Sequence, residues 1–287
     1  MKVVYIGARG MLGRDVLDAA RARAVEVIGL DLPELDITNP ESVAAVLPEC
    51  DVVINGAAFT RVDDAEREIE PARRINADGA GHVARVCAER GIRLLHVSTD
   101  YVFNGRKGTE YLEADAPDPL SVYGITKWQG EVLVREAGGS SVIVRTQSLY
   151  GVHGRNFVKA ILNQLRQGKK ELTVVSDQVS SPTYTRHLAE ALLNLAGVAE
   201  TGLVHVAARG ACSWHQFAQE IVSLLGLRGV DVRPMAAAEL KYPAPRPAYS
   251  VLATDRYTAW TGSLMPSWRE GLKAYLQEEE LAVQPWT

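Results

Sequence analysis

The chain has 287 residues, 47% of them hydrophobic, and a net charge of −4. This size accommodates one large α/β domain or a main domain with a smaller partner, and the composition excludes disorder as the bulk state. The acidic balance argues against a nucleic-acid partner, and the sequence lacks an apolar run near the ~20 residues that cross a membrane. The first residues read as a strand rather than a signal peptide. Three scattered cysteines without C-x-x-C spacing predict neither disulfides nor a zinc site and fit the cytoplasm.

The N-terminal residues predict a strand, a glycine turn and a helix. Val3 to Ile6 form a short apolar run, and Gly7, Gly10 and Gly13 follow at intervals of three. Glycines tolerate positive φ and allow a ligand to approach the backbone, and a helix start attracts a pyrophosphate. The spacing is G-x-x-G-x-x-G rather than the G-x-G-x-x-G of many dehydrogenases. The pattern favours a nucleotide-binding turn over a tight turn without a ligand.

The next elements alternate between strands and helices. Apolar runs predict further strands at 25–30, 51–55, 93–97 and 142–145, and helical patterns lie at about 71–90 and after Leu120. Alternation of this kind predicts an α/β fold with a Rossmann-type, doubly wound parallel sheet. Ligands of such sheets lie beyond the carboxyl ends of the strands, which selects Gly7 to Gly13, Asp31, Ala57 to Thr60 and Ser98 to Tyr101.

Two residues bear on the choice between NADH and NADPH. Asp31 ends the second strand, where an acid accepts hydrogen bonds from a ribose 2′-hydroxyl; a solvated turn acid is the alternative. Arg9 lies in the glycine turn, where a guanidinium suits a 2′-phosphate. Together they leave both cofactors open.

The alternation loosens after Gly151. We therefore predict a nucleotide-binding domain at 1–150 and a smaller, mostly substrate-binding domain at 151–287, with some later segments returning to the main sheet. Helices are predicted at 157–166, 187–196 and 268–276 and from Ser213 to Leu225. Strands are predicted at 172–175 and 203–206.

Tyr123 and Lys127 lie four residues apart on a predicted helix and so share a face. A lysine ammonium close to a tyrosine favours the phenolate and lowers the tyrosine pKa, and it can also hold a ribose hydroxyl. Thr99, at the end of the fourth strand, can bind the reacting oxygen. We predict an acid–base unit, because Y-x-x-x-K follows a nucleotide turn here; a surface pair is the alternative.

With these motifs the chain resembles the extended short-chain dehydrogenase/reductases, and more closely the dTDP-4-dehydrorhamnose reductase family. The resemblance covers nearly the whole chain. It rests on five motifs of the family: small residues before T-x-V-D-x-A-E, then S-T-D-Y-V-F, Y-G-x-T-K-x-x-G-E, D-Q-x-x-x-P-T and a C-terminal R-P. In this chain, in the same order, they lie at Gly56 to Glu66, Ser98 to Phe103, Tyr123 to Glu131, Asp177 to Thr183 and Arg246-Pro247.

The resemblance implies hydride transfer from NADPH or NADH to the C4 ketone of a nucleotide-linked 4-keto-6-deoxy sugar, which in the family yields dTDP-L-rhamnose. Tyr123 would be the general acid, Lys127 its pKa modulator and ribose contact, and Thr99 the partner of the C4 oxygen. Further cofactor contacts would be Gly10, Met11, Leu12, Asp36, Ile37, Ala57, Ala58 and Thr60. The sugar would lie against Val62, Asp100 and Tyr101.

Two positions concern the substrate. Ser148 stands where the family has a tryptophan against the sugar, which leaves the identity of the sugar open because an indole supplies a large apolar face. Arg246, between two prolines, is a candidate clamp for the substrate pyrophosphate; a surface arginine is the alternative.

The same fold supports other functions. A 4,6-dehydratase would carry Asp-Glu after Thr99, whereas Asp100 is followed by Tyr101. A sugar-nucleotide epimerase would use the same tyrosine and lysine, and a non-catalytic regulatory subunit would usually lose them. The histidines lack metal-ligand spacing, so we assign no metal ion. Association of the chain as a homodimer is left as an expectation.

Overall fold

A computed structural model describes residues 1–282. Its strands are β1 Lys2–Ile6, β2 Glu26–Leu30, β3 Val52–Asn55, β4 Arg93–Thr99, β5 Ser141–Thr146, β6 Leu149–Tyr150, β7 Glu171–Val175, β8 Val179–Ser180, β9 Thr183–Tyr184, β10 Gly202–His205, β11 Cys212–Ser213 and β12 Asp231–Met235.

The α-helices are α1 Met11–Ala22, α2 Pro40–Val46, α3 Val62–Ala65, α4 Ile69–Arg73, α5 Ala80–Arg90, α6 Val122–Glu136, α7 Phe157–Arg166, α8 Thr185–Ala196, α9 Trp214–Leu224, α10 Asp255–Thr261 and α11 Trp268–Ala282. A π-helical turn, Arg74–Gly79, joins α4 to α5, and 3₁₀ turns lie at Asp100–Val102 and Ala237–Leu240.

Six parallel strands form the main sheet in the order β10-β5-β4-β3-β1-β2. Apolar residues of α1 and α8 pack in one core cluster with the sheet, and residues of α2, α5 and α6 pack in another. Burial on both faces explains why the strands are almost continuously apolar. The predicted Rossmann-type α/β class is confirmed.

The second half of the chain contributes to the main sheet and also forms a separate core. Strand β10 pairs with β5 in parallel, from Gly202 opposite Val142 to His205 opposite Arg145. Three two-stranded pairs, β6–β9, β7–β12 and β8–β11, lie outside that sheet. A third cluster joins apolar residues of α7, α9 and α11, including Phe217 and Trp268.

Local capping accounts for several helix starts. Asn39 accepts hydrogen bonds from the backbone N–H groups of Glu41 and Ser42, and Pro40 occupies the first turn of α2. The Ser213 hydroxyl and the Gln216 side chain form a capping box at α9. The side chains thus satisfy N–H groups that the helices leave without intrahelical partners.

Candidate active site

A cavity of about 1160 Å³ opens at the carboxyl ends of β1, β3, β4 and β5. All but one of the predicted site residues line it. These are Gly7, Arg9, Gly10, Met11, Leu12, Gly13, Asp31, Asp36, Ile37, Ala57, Ala58, Thr60, Val62, Thr99, Asp100, Tyr101, Tyr123, Lys127 and Ser148.

The glycine turn packs too tightly for side chains. Gly7 has φ +93°, and a Cβ on it would lie 2.9 Å from the backbone nitrogen of Ala57. A Cβ on Gly13 would lie 2.5 Å from the carbonyl oxygen of Gly7. Gly10 precedes α1 without a side-chain cap, so the first N–H groups of α1 remain open to an anion. The turn therefore fits the pyrophosphate of a dinucleotide.

Arg9 and Asp31 belong to one hydrogen-bond network. The Asp31 carboxylate accepts from the backbone N–H groups of Arg9 at 2.7 Å and Leu32 at 2.8 Å. The Arg9 guanidinium donates to the Leu32 carbonyl at 2.5 Å and pairs with Glu34 at 2.8 Å. The Arg9–Glu34 pair is exposed and hence weak, so a phosphate can compete for the guanidinium.

Helix α6 positions Tyr123 and Lys127. The Ser121 hydroxyl caps its first turn by accepting from the backbone N–H of Gly124 at 3.2 Å. The Lys127 ammonium donates to the carbonyl of Val97, on β4, at 2.8 Å. Both side chains are therefore held at the wall formed by the end of β4.

Burial controls the charge of this pair. It raises the pKa of Tyr123 to about 12, with the Thr99 hydroxyl acting in the opposite direction. Burial lowers the pKa of Lys127 to about 8, although the nearby Glu131 carboxylate acts to raise it. The predicted lowering of the Tyr123 pKa is therefore wrong for this structure, because desolvation of the phenolate dominates.

Asp100 is a buried carboxyl beside the predicted acid. It accepts a hydrogen bond from the Thr99 hydroxyl at 3.1 Å, and burial raises its pKa to about 6. Its charge also raises the pKa of Tyr123. The Tyr101 ring meets the Tyr123 ring edge-on, with 5.5 Å between centroids. These neighbours restrict the orientation of the phenol.

Ser148 lines the cavity in a left-handed conformation, with φ +47°. Its hydroxyl lies 2.8 Å from the Ser180 hydroxyl. The buried Gln147 amide, oriented to satisfy both of its polar atoms, donates to the Ser250 carbonyl at 2.8 Å and accepts from the Leu252 N–H at 3.2 Å. Both side chains are thus engaged with neighbouring loops.

Arg246 does not line the cavity itself but lies close to Tyr101, which does: burial raises the pKa of Tyr101, and the Arg246 guanidinium acts in the opposite direction. Its guanidinium donates to both carboxylate oxygens of Asp63, at 3.0 and 2.7 Å, and stacks 3.8 Å from the centroid of the Tyr242 ring. Asp63 pairs with the guanidinium in this structure, and the clamp role of Arg246 stays a prediction.

Sequence reasoning missed several wall residues. Thr38, Arg74, Gln147 and Arg155 line the cavity as well. The Gly154-Arg155-Asn156 turn, directly before α7, carries a breaker and a cation that could have marked a ligand-facing loop. Arg74 begins the π-helical turn, a feature that apolar periodicity does not reveal.

The parallel sheet, the glycine turn and the cavity define a Rossmann-type nucleotide-binding protein. The chain belongs to the family whose model is described as the RmlD substrate binding domain, which matches residues 1–281. The predicted family resemblance is confirmed.

Known relatives match the chain along nearly its whole length. It is 41% identical over 283 residues to the spore coat polysaccharide biosynthesis protein SpsK of Bacillus subtilis, covering 98% of this chain and 99% of that protein. It is 39% identical over 275 residues to dTDP-4-dehydrorhamnose reductase of Mycolicibacterium smegmatis, covering 95% and 84%. The crystal structure of dTDP-4-dehydrorhamnose reductase from Bacillus anthracis in complex with NADP is 38% identical, with a TM-score of 0.92 and coverage of 97% and 100%.

Residues 1–282 carry neither a metal-binding cluster nor a membrane-spanning helix. No cluster of three or more histidine, cysteine, aspartate or glutamate side chains within that range is arranged to hold a metal ion. No helix in the same range has the length and apolar character needed to cross a membrane.

Proposed function

We propose that the chain reduces the C4 ketone of a nucleotide-linked 4-keto-6-deoxy sugar with NADPH or NADH, converting dTDP-4-dehydrorhamnose to dTDP-L-rhamnose. One observation carries this proposal: Thr99, Tyr123 and Lys127 meet the glycine turn in a single cavity. The reductases named among the relatives support the same substrate class.

Different groups of residues bind the cofactor and the sugar. The glycine turn and the start of α1 hold the dinucleotide pyrophosphate, with Asp36, Ile37, Ala57, Ala58 and Thr60 along the rest of its path. Bound NADPH or NADH supplies the hydride for the carbonyl carbon. Val62, Asp100 and Tyr101 hold the sugar on the facing wall.

Tyr123 gives its proton to the C4 oxygen. With a pKa of about 12, its phenol remains protonated at neutral pH and is ready to donate. With a pKa of about 8, Lys127 is mostly charged at neutral pH and stabilises the phenolate that forms. The Thr99 hydroxyl, which donates to Asp100 in this structure, turns its hydrogen to the C4 oxygen of the bound sugar and so orients that oxygen towards the phenol.

The proposal includes the use of both cofactors. Asp31 accepts from two backbone N–H groups and has further acceptor capacity for a ribose, while the Arg9 guanidinium is held by one carbonyl and an exposed pair with Glu34. The Bacillus anthracis neighbour contains NADP. We expect kcat/KM for NADPH and NADH to differ by less than several orders of magnitude.

The direct test is to mix purified protein with dTDP-4-dehydrorhamnose and each reduced cofactor. The absorbance of the reduced nicotinamide should fall as dTDP-rhamnose forms, with the product identified by mass spectrometry and NMR. Absence of cofactor oxidation would overturn the proposal. Purification with tightly bound oxidised cofactor, together with inversion at C4 of a 4-hydroxy sugar nucleotide without net oxidation, would instead indicate an epimerase, which the named relatives do not favour.

The proposed setting is the cytoplasm, in the synthesis of a cell-surface polysaccharide. The free cysteines Cys50, Cys87 and Cys212 support a reducing compartment. Association as a homodimer is part of the proposal, to be checked by light scattering after size-exclusion chromatography.

A further inference from the structure

The loop between β6 and α7 lies against the face of α1 that starts at the glycine turn. The Asn156 amide donates to the Gly151 carbonyl at 2.7 Å and lies 3.9 Å from the Met11 sulfur. One turn further along α1, the buried Asp15 carboxylate lies 3.8 Å from the His153 ring. The loop therefore lies against α1 at two successive turns of the helix.

The loop is also braced from its own side. The Lys159 ammonium donates to the Val152 carbonyl at 2.5 Å, and the Asn156 side chain caps α7 by accepting from the Lys159 N–H at 3.0 Å. Only a glycine fits at its first position, because a Cβ on Gly151 would lie 2.0 Å from the Thr185 hydroxyl and 3.2 Å from Met11 Cγ. The two ends of the loop are therefore held in place, with Gly154 and Arg155 exposed between them.

This bracing places one cation at the cavity wall beside the start of α1. Gly154 and Arg155 both line the cavity; a Cβ on Gly154 would lie 3.9 Å from Met11 Cβ, and the Arg155 side chain that follows is exposed. Among the described residues, the Arg155 guanidinium has no hydrogen-bond or ion-pair partner, unlike the cavity-lining Arg9 and Lys127. A guanidinium that lines the same cavity as the open N–H groups of α1 favours a diphosphate, since it can form paired, charge-assisted hydrogen bonds.

We propose that Arg155 binds the bridging pyrophosphate of the dinucleotide, from the side opposite the glycine turn. The inference rests on the proposed function in taking a nicotinamide dinucleotide as the ligand. It assigns the phosphate clamp to the loop before α7, whereas Arg246 is engaged by Asp63. The contact with α1 selects the cofactor rather than the sugar nucleotide as the source of the diphosphate.

The test is equilibrium binding, without turnover, of NADPH, NADH and dTDP to the wild type, Arg155→Ala and Arg155→Lys. We expect Arg155→Ala to raise the Kd of both dinucleotides by a similar factor, roughly ten-fold, and to leave the Kd of dTDP unchanged. Arg155→Lys should recover part of the loss. Arg14→Ala is the matched control, because Arg14 is exposed on α1 outside the cavity lining; its Kd values should stay near those of the wild type.

Three results would overturn the inference. Unchanged dinucleotide binding in Arg155→Ala would remove the contact. Loss confined to NADPH would place Arg155 at the ribose 2′-phosphate, and loss confined to dTDP would place it at the substrate. Failure of the proposed function is separate, because a wild type that binds both dinucleotides but does not reduce the sugar leaves the binding comparison intact.

Discussion

Tyr123 is the residue on which the proposed chemistry depends most directly. Tyr123→Phe removes one hydroxyl and should keep the fold and the Kd for NADPH while kcat falls ~10²–10⁴-fold, the usual contribution of a general acid. Tyr150→Phe is the matched control: that hydroxyl is buried without a hydrogen-bond partner among the described residues and lies outside the cavity lining. Steady-state kinetics on dTDP-4-dehydrorhamnose would show near-normal turnover in Tyr123→Phe if the assignment were wrong.

The charge of Lys127 should set the alkaline side of the pH profile. Because burial lowers its pKa to about 8, the ammonium is lost as pH rises through that value, and kcat/KM for reduction should fall with it. Tyr123, with a pKa of about 12, stays protonated over the same range and does not cause the fall. Lys127→Met, which is neutral throughout, should react slowly, and its kcat/KM should show no fall near pH 8. A fall near pH 8 that persists in this variant would assign the titration to another group.

Substitution of Ser148 tests whether the cavity has open space against one face of the sugar. An indole at this position would add a few tens of Å² of apolar contact, worth on the order of 1 kcal/mol at ~25 cal/mol per Å², so Ser148→Trp should lower KM for dTDP-4-dehydrorhamnose several-fold. The left-handed backbone disfavours a bulky residue, and thermal unfolding must therefore accompany the kinetics.

Ser148→Ala is the control for this substitution, since it removes only the contact with the Ser180 hydroxyl. If activity falls in Ser148→Trp but not in Ser148→Ala, while thermal unfolding of the tryptophan variant is unchanged, the space is already filled. The natural sugar would then differ from the rhamnose precursor.

At the scale of single elements, the junction of β1 and α1 is the most tightly packed part of the site. Gly13→Ala would bring a Cβ to 2.5 Å from the Gly7 carbonyl oxygen and 2.7 Å from Ala8 Cα, both backbone atoms that cannot move aside. We expect a loss of ~1–3 kcal/mol in the free energy of unfolding, together with weaker NADPH binding.

Gly197→Ala is the matched substitution, because its Cβ would meet only the Asn194 carbonyl oxygen at 3.5 Å. Urea unfolding should leave this variant within ~0.5 kcal/mol of the wild type. Equal stability of the Gly13 and Gly197 variants would show that the turn can relax without cost.

Elements with strong periodicity or explicit caps could be predicted from the sequence. Helix α7 has the bounds that its apolar spacing predicts, and Ser213 caps α9 as expected. Strands β6 and β9 have two residues each and could not be predicted, because their pairing joins Leu149 to Thr183 across a long stretch of chain. A two-residue strand has no period of its own.

The same limit applies to the candidate site. Residues directly after main-sheet strands were selected because topology gathers strand ends. The environment of each side chain could not be predicted from the sequence. Asp63 pairs with Arg246, which is 183 positions away in the chain, and burial rather than Lys127 dominates the pKa of Tyr123. Such partners depend on tertiary packing.

At the scale of the whole molecule, the nucleotide-binding half is completed by residues from the second half. Helix α8 packs on α1 in the same core cluster as the main sheet, and β10 covers the outer edge of β5. Four leucines of α8 are buried, Leu188, Leu192, Leu193 and Leu195. The predicted division at Gly151 therefore separates elements that share one core.

We expect the fragment 1–150 to be unable to fold alone. Burying a leucine side chain contributes ~1.5–3 kcal/mol, so losing the four of α8 removes roughly 6–12 kcal/mol, which rivals the ~5–15 kcal/mol stability of a typical domain. Exposure of the β5 edge, from Val142 to Arg145, adds a tendency to aggregate. Urea unfolding followed by circular dichroism should therefore show no cooperative transition for 1–150, and co-expression with 151–287 should restore one. A cooperative transition of 1–150 alone would mean that the first half is an independent domain and that α8 and β10 only dock onto it.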